Sequence, residues 1–252
     1  MADRWRGPNR RQFLLGGAVV AASAVATTET AAAGPFGSGD LGPWQHLVRA
    51  ISTEAQIQRV LDTDGVFMFG DSLAVQDGKT LAQRLAARTG DALAVHNWSG
   101  QPSSAAVDAL ARWKQSYGLP RRILMAMGSN DIFSPPAVAG QVDRAMDLIG
   151  STRTMIWVNV QVVRAAKTVS VQLADQRNSA WVNVQLADAQ RRHSNLRIVR
   201  WAEYLAAKPN RLGLYLRDGL HTSVPLGQAA RNDLMVQALA TARSTGKTAE
   251  GG

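Results

Sequence analysis

Val66-Phe67-Met68-Phe69-Gly70-Asp71-Ser72-Leu73 is the stretch that decides how the rest of the chain is interpreted. Its leading apolar residues are typical of a strand that is buried on both faces. Gly70-Asp71 ends the apolar run, and a helical pattern follows from about Lys79. Open α/β sheets bind ligands at the carboxyl ends of their strands, so the pattern predicts that Ser72 faces a cleft. Taken alone, the stretch also fits a simpler role, in which Asp71 or Ser72 only caps the helix.

The composition is that of a globular protein with a substantial core. Of the 252 residues, 46% are hydrophobic and 19% are charged. Because the chain contains no cysteine, a disulfide, a thiolate metal site and a cysteine nucleophile are all excluded. The four histidines, at positions 46, 96, 193 and 221, do not stand at metal-ligand spacing, so we expect neither a metal nor another cofactor.

The formal net charge is +9, and the basic residues are spread along the chain without a run of five or more. This indicates a weak preference for anionic surroundings such as a cell envelope. A nucleic-acid-binding protein would gather its basic residues on one face, in an aromatic or helix-turn-helix context. We therefore expect no nucleic-acid partner.

Residues 1–33 have the pattern of an export signal that is not part of the fold. Arg10-Arg11 precede an apolar stretch, Phe13–Ala26, which is too short to span a membrane comfortably. Small residues at 31–33 then offer a cleavage site. We expect a secreted, periplasmic or cell-envelope protein that meets a membrane only during export.

The paired arginines resemble a twin-arginine export signal, which implies the twin-arginine machinery as a partner of the precursor. Asn9 and Leu15 depart from that pattern, where Ser or Thr and Lys are common. An ordinary secretory signal or an uncleaved anchor is the alternative.

Beyond the signal, apolar runs alternate with helical patterns. We predict a linker and an N-terminal helix within 34–63 (the helix over Trp44–Leu61), a domain over 64–243 and a disordered tail over 244–252. The predicted strands cover 66–69, 92–97, 122–127, 154–161 and 196–199. The predicted helices cover 79–88, 103–114, 137–149, 178–193 and 226–242, with a mobile loop over the site at 162–176. Such alternation predicts an α/β fold, with a five-stranded parallel sheet between helices.

One pentapeptide, Trp-Val-Asn-Val-Gln, occurs at both 157–161 and 181–185. Apolar neighbours predict that the first copy is a strand. Strong helix formers after the second copy predict that it is a helix, because context overrides local preference.

Four short motifs fall where such a sheet exposes its residues. They are Gly-Asp-Ser-Leu at 70–73, Trp-Ser-Gly at 98–100, Gly-Ser-Asn-Asp at 128–131 and Asp-Gly-Leu-His at 218–221. Each follows a strand or lies on a loop that can reach the same sheet edge. We expect them to surround one cleft.

In order and content, these motifs resemble the SGNH hydrolases, also called GDSL esterases. That family is named for a Ser, a Gly, an Asn and a His, which are here Ser72, Gly100, Asn130 and His221. The resemblance covers about residues 64–241. It implies a flavodoxin-like three-layer α/β/α sandwich and a serine esterase that acts on acyl esters.

The chemistry of acyl transfer needs a nucleophile, a base, a group that orients the base and donors for an oxyanion. Ser72 suits the nucleophile, His221 the base, and Asp218, three residues before it, the orienting carboxylate. The backbone N–H groups of Ser72 and Gly100 and the side-chain amide of Asn130 suit the oxyanion hole. The GxSxG elbow of α/β-hydrolases is absent.

Each of these residues also has a structural interpretation. Gly100 could be a turn residue and Asn130 a cap for the helix beyond it. Asp218 and His221 could brace the last helix, whose start is marked by Pro225.

Three neighbouring residues are interpreted separately. Asp71 and Asp131 are predicted to be structural and to bind local backbone N–H groups. Trp98 either lines an acyl or sugar pocket or packs in the core.

Together the motifs favour a secreted serine esterase for small acyl esters, including O-acetyl esters of cell-wall or other carbohydrates. An O-acyltransferase that moves the acyl group to a sugar hydroxyl is the first alternative. A non-catalytic carbohydrate- or lipid-binding relative is the second. A nucleotide-binding protein is disfavoured, because the first loop has neither GxGxxG nor a P-loop.

Overall fold

The computed structural model describes residues 48–207 and 209–248. Its sheet has six strands: β1 (Arg49–Ile51), β2 (Val66–Gly70), β3 (Leu93–Trp98), β4 (Arg122–Ala126), β5 (Thr154–Val158) and β6 (Leu196–Val199). The spatial order is β1-β3-β2-β4-β5-β6. Strands β2 to β6 are parallel, and β1 pairs antiparallel with β3 at the edge. The five parallel strands have the flavodoxin-like order that was predicted.

The α-helices among the described residues are α1 (Glu54–Asp62), α2 (Ser72–Thr89), α3 (Ser103–Tyr117), α4 (Val138–Ile149), α5 (Val169–Arg192), α6 (Trp201–Ala206), α7 (Leu212–Tyr215) and α8 (Leu226–Thr248). Short 3₁₀ turns lie at Asp131–Phe133, Pro135–Ala137 and Pro209–Arg211. None of these helices combines the length and the apolar character that crossing a bilayer requires.

Side chains of the central strand β2 alternate between two cores. Phe67 and Phe69 face the core under α1, α3, α4 and α5. Val66 and Met68 face the core under α2, α6 and α8. All four are 0% exposed, and each such side chain contributes roughly 1.5–3 kcal/mol by burial. This confirms the three-layer α/β/α sandwich.

The N-terminal helix predicted over Trp44–Leu61 is wrong in its first part. Residues 44–47 lie outside the described residues, and Arg49–Ile51 form the short edge strand β1. Helix α1 begins only after Thr53, which makes a capping box with Gln56. The sheet is therefore mixed and six-stranded, where five parallel strands were predicted.

The helix predicted to begin at about Lys79 begins earlier, at Ser72, just after the end of β2. Asp71 is extended and caps it, as its carboxylate accepts a hydrogen bond from the N–H of Leu73. Gly78 lies inside the helix, where an added Cβ would approach the Asn97 amide to 3.2 Å. Close packing against β3 explains why a glycine stands inside this helix.

The mobile loop predicted over 162–176 is also wrong. Helix α5 begins at Val169, well before the predicted start at Asn178. The preceding residues are anchored, because Arg164 donates to Asp175 from its backbone N (3.1 Å), Nε (2.8 Å) and a terminal nitrogen (2.6 Å). Asp175 is buried, so this ion pair holds the loop firmly against α5.

Helix α8 continues to Thr248, past the predicted end at 242 and into the predicted tail 244–252. Residues 249–252, the predicted export signal 1–33 and the linker up to 47 lie outside the described residues. The second copy of the repeated pentapeptide lies within α5, as predicted. The first copy is strand only at Trp157 and Val158, because β5 ends at Val158, so the strand predicted to reach 161 is too long.

His96 on β3 is a buried histidine inside the first core. Its ring lies 6.1 Å from the Phe69 ring and 5.9 Å from the Trp113 ring, and only 8% of the residue is exposed. Burial lowers the pKa of His96 to about 4, and the positive charges of Arg112 and Arg49 act in the same direction.

This pKa shift predicts acid destabilisation. The unfolded chain takes up a proton at His96 near pH 6.5, whereas the folded chain does so near pH 4. The contribution of His96 to the free energy of unfolding is therefore fully present above pH 6.5. It is lost, by up to about 3 kcal/mol, as the pH drops towards 4. Urea unfolding measured from pH 7 to 4 is expected to show a smaller decrease in the free energy of unfolding for His96→Leu than for the wild type.

The control is His193→Gln, because the His193 side chain is 25% exposed and contacts the Asp143 carboxylate instead of packing inside a core. A wild-type loss that His96→Leu leaves unchanged would contradict the prediction.

Candidate active site

Ser72 is presented at the carboxyl end of the central strand. The chain leaves β2 at Gly70, Asp71 caps α2, and Ser72 is the first residue of that helix. A side chain at the first helical position can point away from the helix towards the sheet edge. Ser72 is 5% exposed, so its hydroxyl lies in a sheltered position.

The ring of His221 joins Ser72 to Asp218. Nε2 of His221 lies 2.9 Å from Oγ of Ser72, although the residues are 149 positions apart in the chain. Nδ1 lies 2.7 Å from Oδ2 of Asp218. In the neutral tautomer that this arrangement favours, Nδ1–H donates to the carboxylate and Nε2 accepts from the serine hydroxyl. The structure thus brings together three residues that the sequence analysis selected.

Asp218 is held as a carboxylate by its own turn. Its Oδ1 accepts hydrogen bonds from the backbone N–H groups of Leu220 (3.0 Å) and His221 (2.7 Å). Burial alone would raise the pKa of Asp218, but these bonds and the adjacent His221 ring outweigh burial and lower it. The group therefore stays ionised at neutral pH, as an orienting partner of imidazole requires.

The turn between Asp218 and His221 is clamped by the loop after β5. The N–H of Val163 donates to the Gly219 carbonyl (2.8 Å), and the N–H of Ala165 donates to the Asp218 carbonyl (2.9 Å). Gly219 has φ +83°, and an added Cβ would lie 1.7 Å from the Val163 oxygen. Only glycine satisfies both conditions. The loop that was predicted to be mobile is thus part of the support for the turn.

The loops that carry Gly100 and Asn130 meet at Gln101. The side-chain amide of Asn130 donates to the Gln101 carbonyl (3.2 Å), next to Gly100, which has φ +77°. The Gln101 side chain in turn donates to the Gly70 carbonyl (2.7 Å). The ends of β2, β3 and β4 are therefore tied to one another. Nothing in the sequence singled out Gln101 for this task.

Asn130 does not cap the element that follows it, because its side chain makes no capping hydrogen bond to the 3₁₀ turn Asp131–Phe133. Likewise, Asp218 and His221 bind each other and Ser72, rather than bracing the last helix. Both structural alternatives for these residues are thus disfavoured by the contacts.

The two aspartates next to the site have different partners. Asp71 binds the local N–H of Leu73 (3.0 Å), as predicted, and also accepts from the Ser129 hydroxyl. For Asp131 the prediction of a local partner is wrong, because it accepts from the backbone N and the hydroxyl of Ser103 at the start of α3. Burial raises the pKa of Asp71, and it raises that of Asp131 to about 6.

Trp98 is the last residue of β3 and belongs to neither of the two cores. The guanidinium of Arg49 on β1 stands 5.6 Å from the centre of the Trp98 ring, within the range of a cation–π contact.

The site has the groups for nucleophilic acyl transfer. A serine hydroxyl is bonded to an imidazole, which is bonded to a carboxylate, and two further loops converge beside them. Across 48–207 and 209–248, no three His, Cys, Asp or Glu side chains are grouped in a way that could hold a metal ion.

The close packing of Gly219 against the loop after β5 leads to a testable prediction. Gly219→Ala is expected to displace the turn that carries His221, and so to slow the reaction of Ser72 with a fluorophosphonate by about tenfold or more. Labelling rates of the purified variant and wild type measure this.

Gly90→Ala is the matched control, because Gly90 also has a positive φ (+74°) but has nothing within 4 Å of an added Cβ. If both variants label as fast as the wild type, the clamp does not matter for Ser72.

The chain matches no protein-family model, and it matches no curated protein. Solved structures do resemble it. The C-terminal catalytic domain of peptidoglycan O-acetyltransferase A (OatA) from Streptococcus pneumoniae has a TM-score of 0.54 and 19% identity, covering 73% of this chain and 95% of that one.

Two further structures give similar values. A member of the lipolytic G-D-S-L family from Veillonella parvula has a TM-score of 0.53 and 16% identity, covering 69% of this chain and 94% of that one. A GDSL-like lipase from Bacteroides thetaiotaomicron has a TM-score of 0.55 and 15% identity, with coverage of 79% and 92%. The chain has the α/β/α fold of the SGNH hydrolases.

Proposed function

We propose that the protein is a serine esterase that hydrolyses small acyl esters through a covalent acyl-enzyme. One observation carries this proposal: the hydrogen-bonded chain from Ser72 through His221 to Asp218, with distances of 2.9 and 2.7 Å. A serine that merely capped a helix would need neither the imidazole nor the carboxylate behind it.

In acylation, Ser72 Oγ attacks the ester carbonyl while His221 Nε2 accepts its proton. Asp218 stabilises the imidazolium that forms. The same proton then passes to the leaving alkoxide, and the alcohol departs. In deacylation, His221 removes a proton from water as the water oxygen attacks the acyl carbon. The tetrahedral intermediate then collapses, the bond to Ser72 Oγ breaks, and His221 returns the proton to that oxygen as the acid leaves.

The oxyanion of both tetrahedral intermediates would be held by the N–H groups of Ser72 and Gly100 and by the Asn130 side chain. The Gln101 ties support this assignment, because they join the Gly100 and Asn130 loops to the end of β2. One such donor contributes on the order of 10² to 10³ in turnover.

For the substrate we propose acetyl esters of cell-wall or other carbohydrates. Two considerations support this choice: the export pattern of residues 1–33, and the likeness of the fold to that of the OatA catalytic domain. The name of that neighbour connects acetyl groups with peptidoglycan, which is a carbohydrate polymer of the envelope.

An O-acyltransferase is the second candidate, and the likeness to OatA favours it. Both reactions share the acyl-enzyme, which a sugar hydroxyl would intercept in place of water. Incubation with p-nitrophenyl acetate and chito-oligosaccharide separates them. Free acetate as the main product supports the hydrolase, whereas acetylated oligosaccharide supports the transferase. A protein that does neither, and whose Ser72 resists a fluorophosphonate, would be a non-catalytic binding relative.

Ser72→Ala is expected to abolish hydrolysis of p-nitrophenyl acetate and of acetylated sugars, because it removes the nucleophile. Ser134→Ala is the control, since Ser134 is exposed on a neighbouring loop and should leave the rate unchanged. Release of p-nitrophenol measures both variants across esters of increasing acyl length. Equal rates for Ser72→Ala and wild type would contradict the proposed function.

We also propose export of the precursor by the twin-arginine route. Replacing Arg10 and Arg11 together by Lys is expected to leave unprocessed precursor in the cytoplasm, because that pathway reads the paired guanidinium groups. Immunoblots of cytoplasmic and exported fractions measure this. Unchanged export of the double variant would point to an ordinary secretory signal.

A further inference from the structure

Thr222, the residue after His221, is bound to the helix that starts at Ser72. Its carbonyl accepts from the side-chain amide of Gln76 (3.0 Å), and its hydroxyl donates to Oδ1 of Asp77 (3.0 Å). The Gln76 amide also contacts the Thr222 hydroxyl. Gln76 and Asp77 lie on α2, about one turn beyond Ser72. One helix therefore carries the nucleophile and also binds the neighbour of the base.

Helix α8 completes this group from the other side. Arg231 donates to Oδ2 of Asp77 (3.1 Å), and Asn232 donates to the Asp77 carbonyl (3.3 Å). Gln228 donates to the Gln76 carbonyl (3.2 Å). Every one of these side chains is buried, from 0% exposed at Asp77 to 7% at Gln228.

We propose that Gln76, Asp77 and Thr222 are positioning residues that set the distance between His221 Nε2 and Ser72 Oγ. This inference rests on the proposed function of the site. Burying three polar side chains costs free energy unless they are hydrogen-bonded. Here their hydrogen bonds connect the residue next to His221 with the helix that carries Ser72.

The clamp on Gly219 cannot replace this link. Val163 and Ala165 hold the carbonyls of Asp218 and Gly219, and thereby fix the turn to the loop after β5. The contacts of Thr222 fix the same turn to α2. Loss of the Thr222 hydroxyl leaves the turn held to α2 through the Thr222 carbonyl alone. We expect His221 then to move away from Ser72 while its bond to Asp218 survives, because both ends of that bond belong to one turn.

Moving His221 away from Ser72 without breaking its bond to Asp218 should have a distinctive effect on the kinetics. Since a displacement of about 1 Å costs on the order of 100-fold in rate, Thr222→Val is expected to lower kcat about 10- to 100-fold with little change in KM. The acid limb of the kcat profile, which reports the imidazole next to Asp218, is expected to keep its midpoint. Asp218→Asn, in contrast, is expected to shift that midpoint to lower pH.

The experiment measures p-nitrophenyl acetate hydrolysis and fluorophosphonate labelling from pH 5 to 9 for wild type, Thr222→Val, Thr222→Ser and Thr89→Val. Thr222→Ser retains the hydroxyl and is expected to recover most of the rate. Thr89→Val removes a hydroxyl that bonds at the far end of α2, and it controls for stability effects.

Gln76→Met provides a second, independent variant. Each variant removes part of the link, because Gln76→Met loses the bond to the Thr222 carbonyl and Thr222→Val loses the bond to Asp77. The double variant is therefore expected to be slower than either single variant. Gln76→Met is judged by the same criteria if Thr222→Val does not fold, as seen from its thermal melt.

The outcomes for the inference and for the proposed function are distinguishable. A wild type that hydrolyses esters, with Thr222→Val and Gln76→Met within twofold of it, overturns the positioning role and leaves the esterase intact. A shifted acid limb in Thr222→Val also overturns it, because the effect would then be electrostatic. A wild type that is inert to every ester and to the probe overturns the proposed function itself.

Discussion

His221 has to meet two partners at once, and the rest of the site is arranged around that requirement. Its ring nitrogens lie 2.9 Å from Ser72 Oγ and 2.7 Å from Asp218 Oδ2. A ring constrained at both nitrogens has one orientation and one favoured tautomer. The first partner comes from the start of α2 and the second from the loop before α8. The parallel sheet brings these distant segments to one edge.

That edge is rich in polar groups, and the fold satisfies many of them with one another. Asp71 binds Ser129, Asp131 binds Ser103, and Gln101 reaches back to the Gly70 carbonyl. A buried polar group without a partner costs about 1–3 kcal/mol, so these ties stabilise the loops as well as locate them. The result is a pre-organised site, in which little ordering remains when a substrate binds.

The sequence predicted most of the sheet, because strands such as Val66–Gly70 are continuous apolar runs between turn residues. It also selected Ser72, Asp218 and His221, which the structure brings together. It missed β1, because three residues at an edge carry no periodic signal. It placed the start of α2 too late, because the polar Gln76 and Asp77 are buried by partners on distant segments of the chain. Pairings between distant polar residues decide such details, and local patterns do not encode them.

The most direct test of the central claim is a crystal structure of the protein after reaction with a fluorophosphonate. We expect phosphorus bonded to Ser72 Oγ, His221 Nε2 still beside that oxygen, and one phosphoryl oxygen about 3 Å from the Gly100 backbone N and the Asn130 side-chain N. Phosphorus on another residue, or a phosphoryl oxygen that faces solvent away from Gly100 and Asn130, would contradict it.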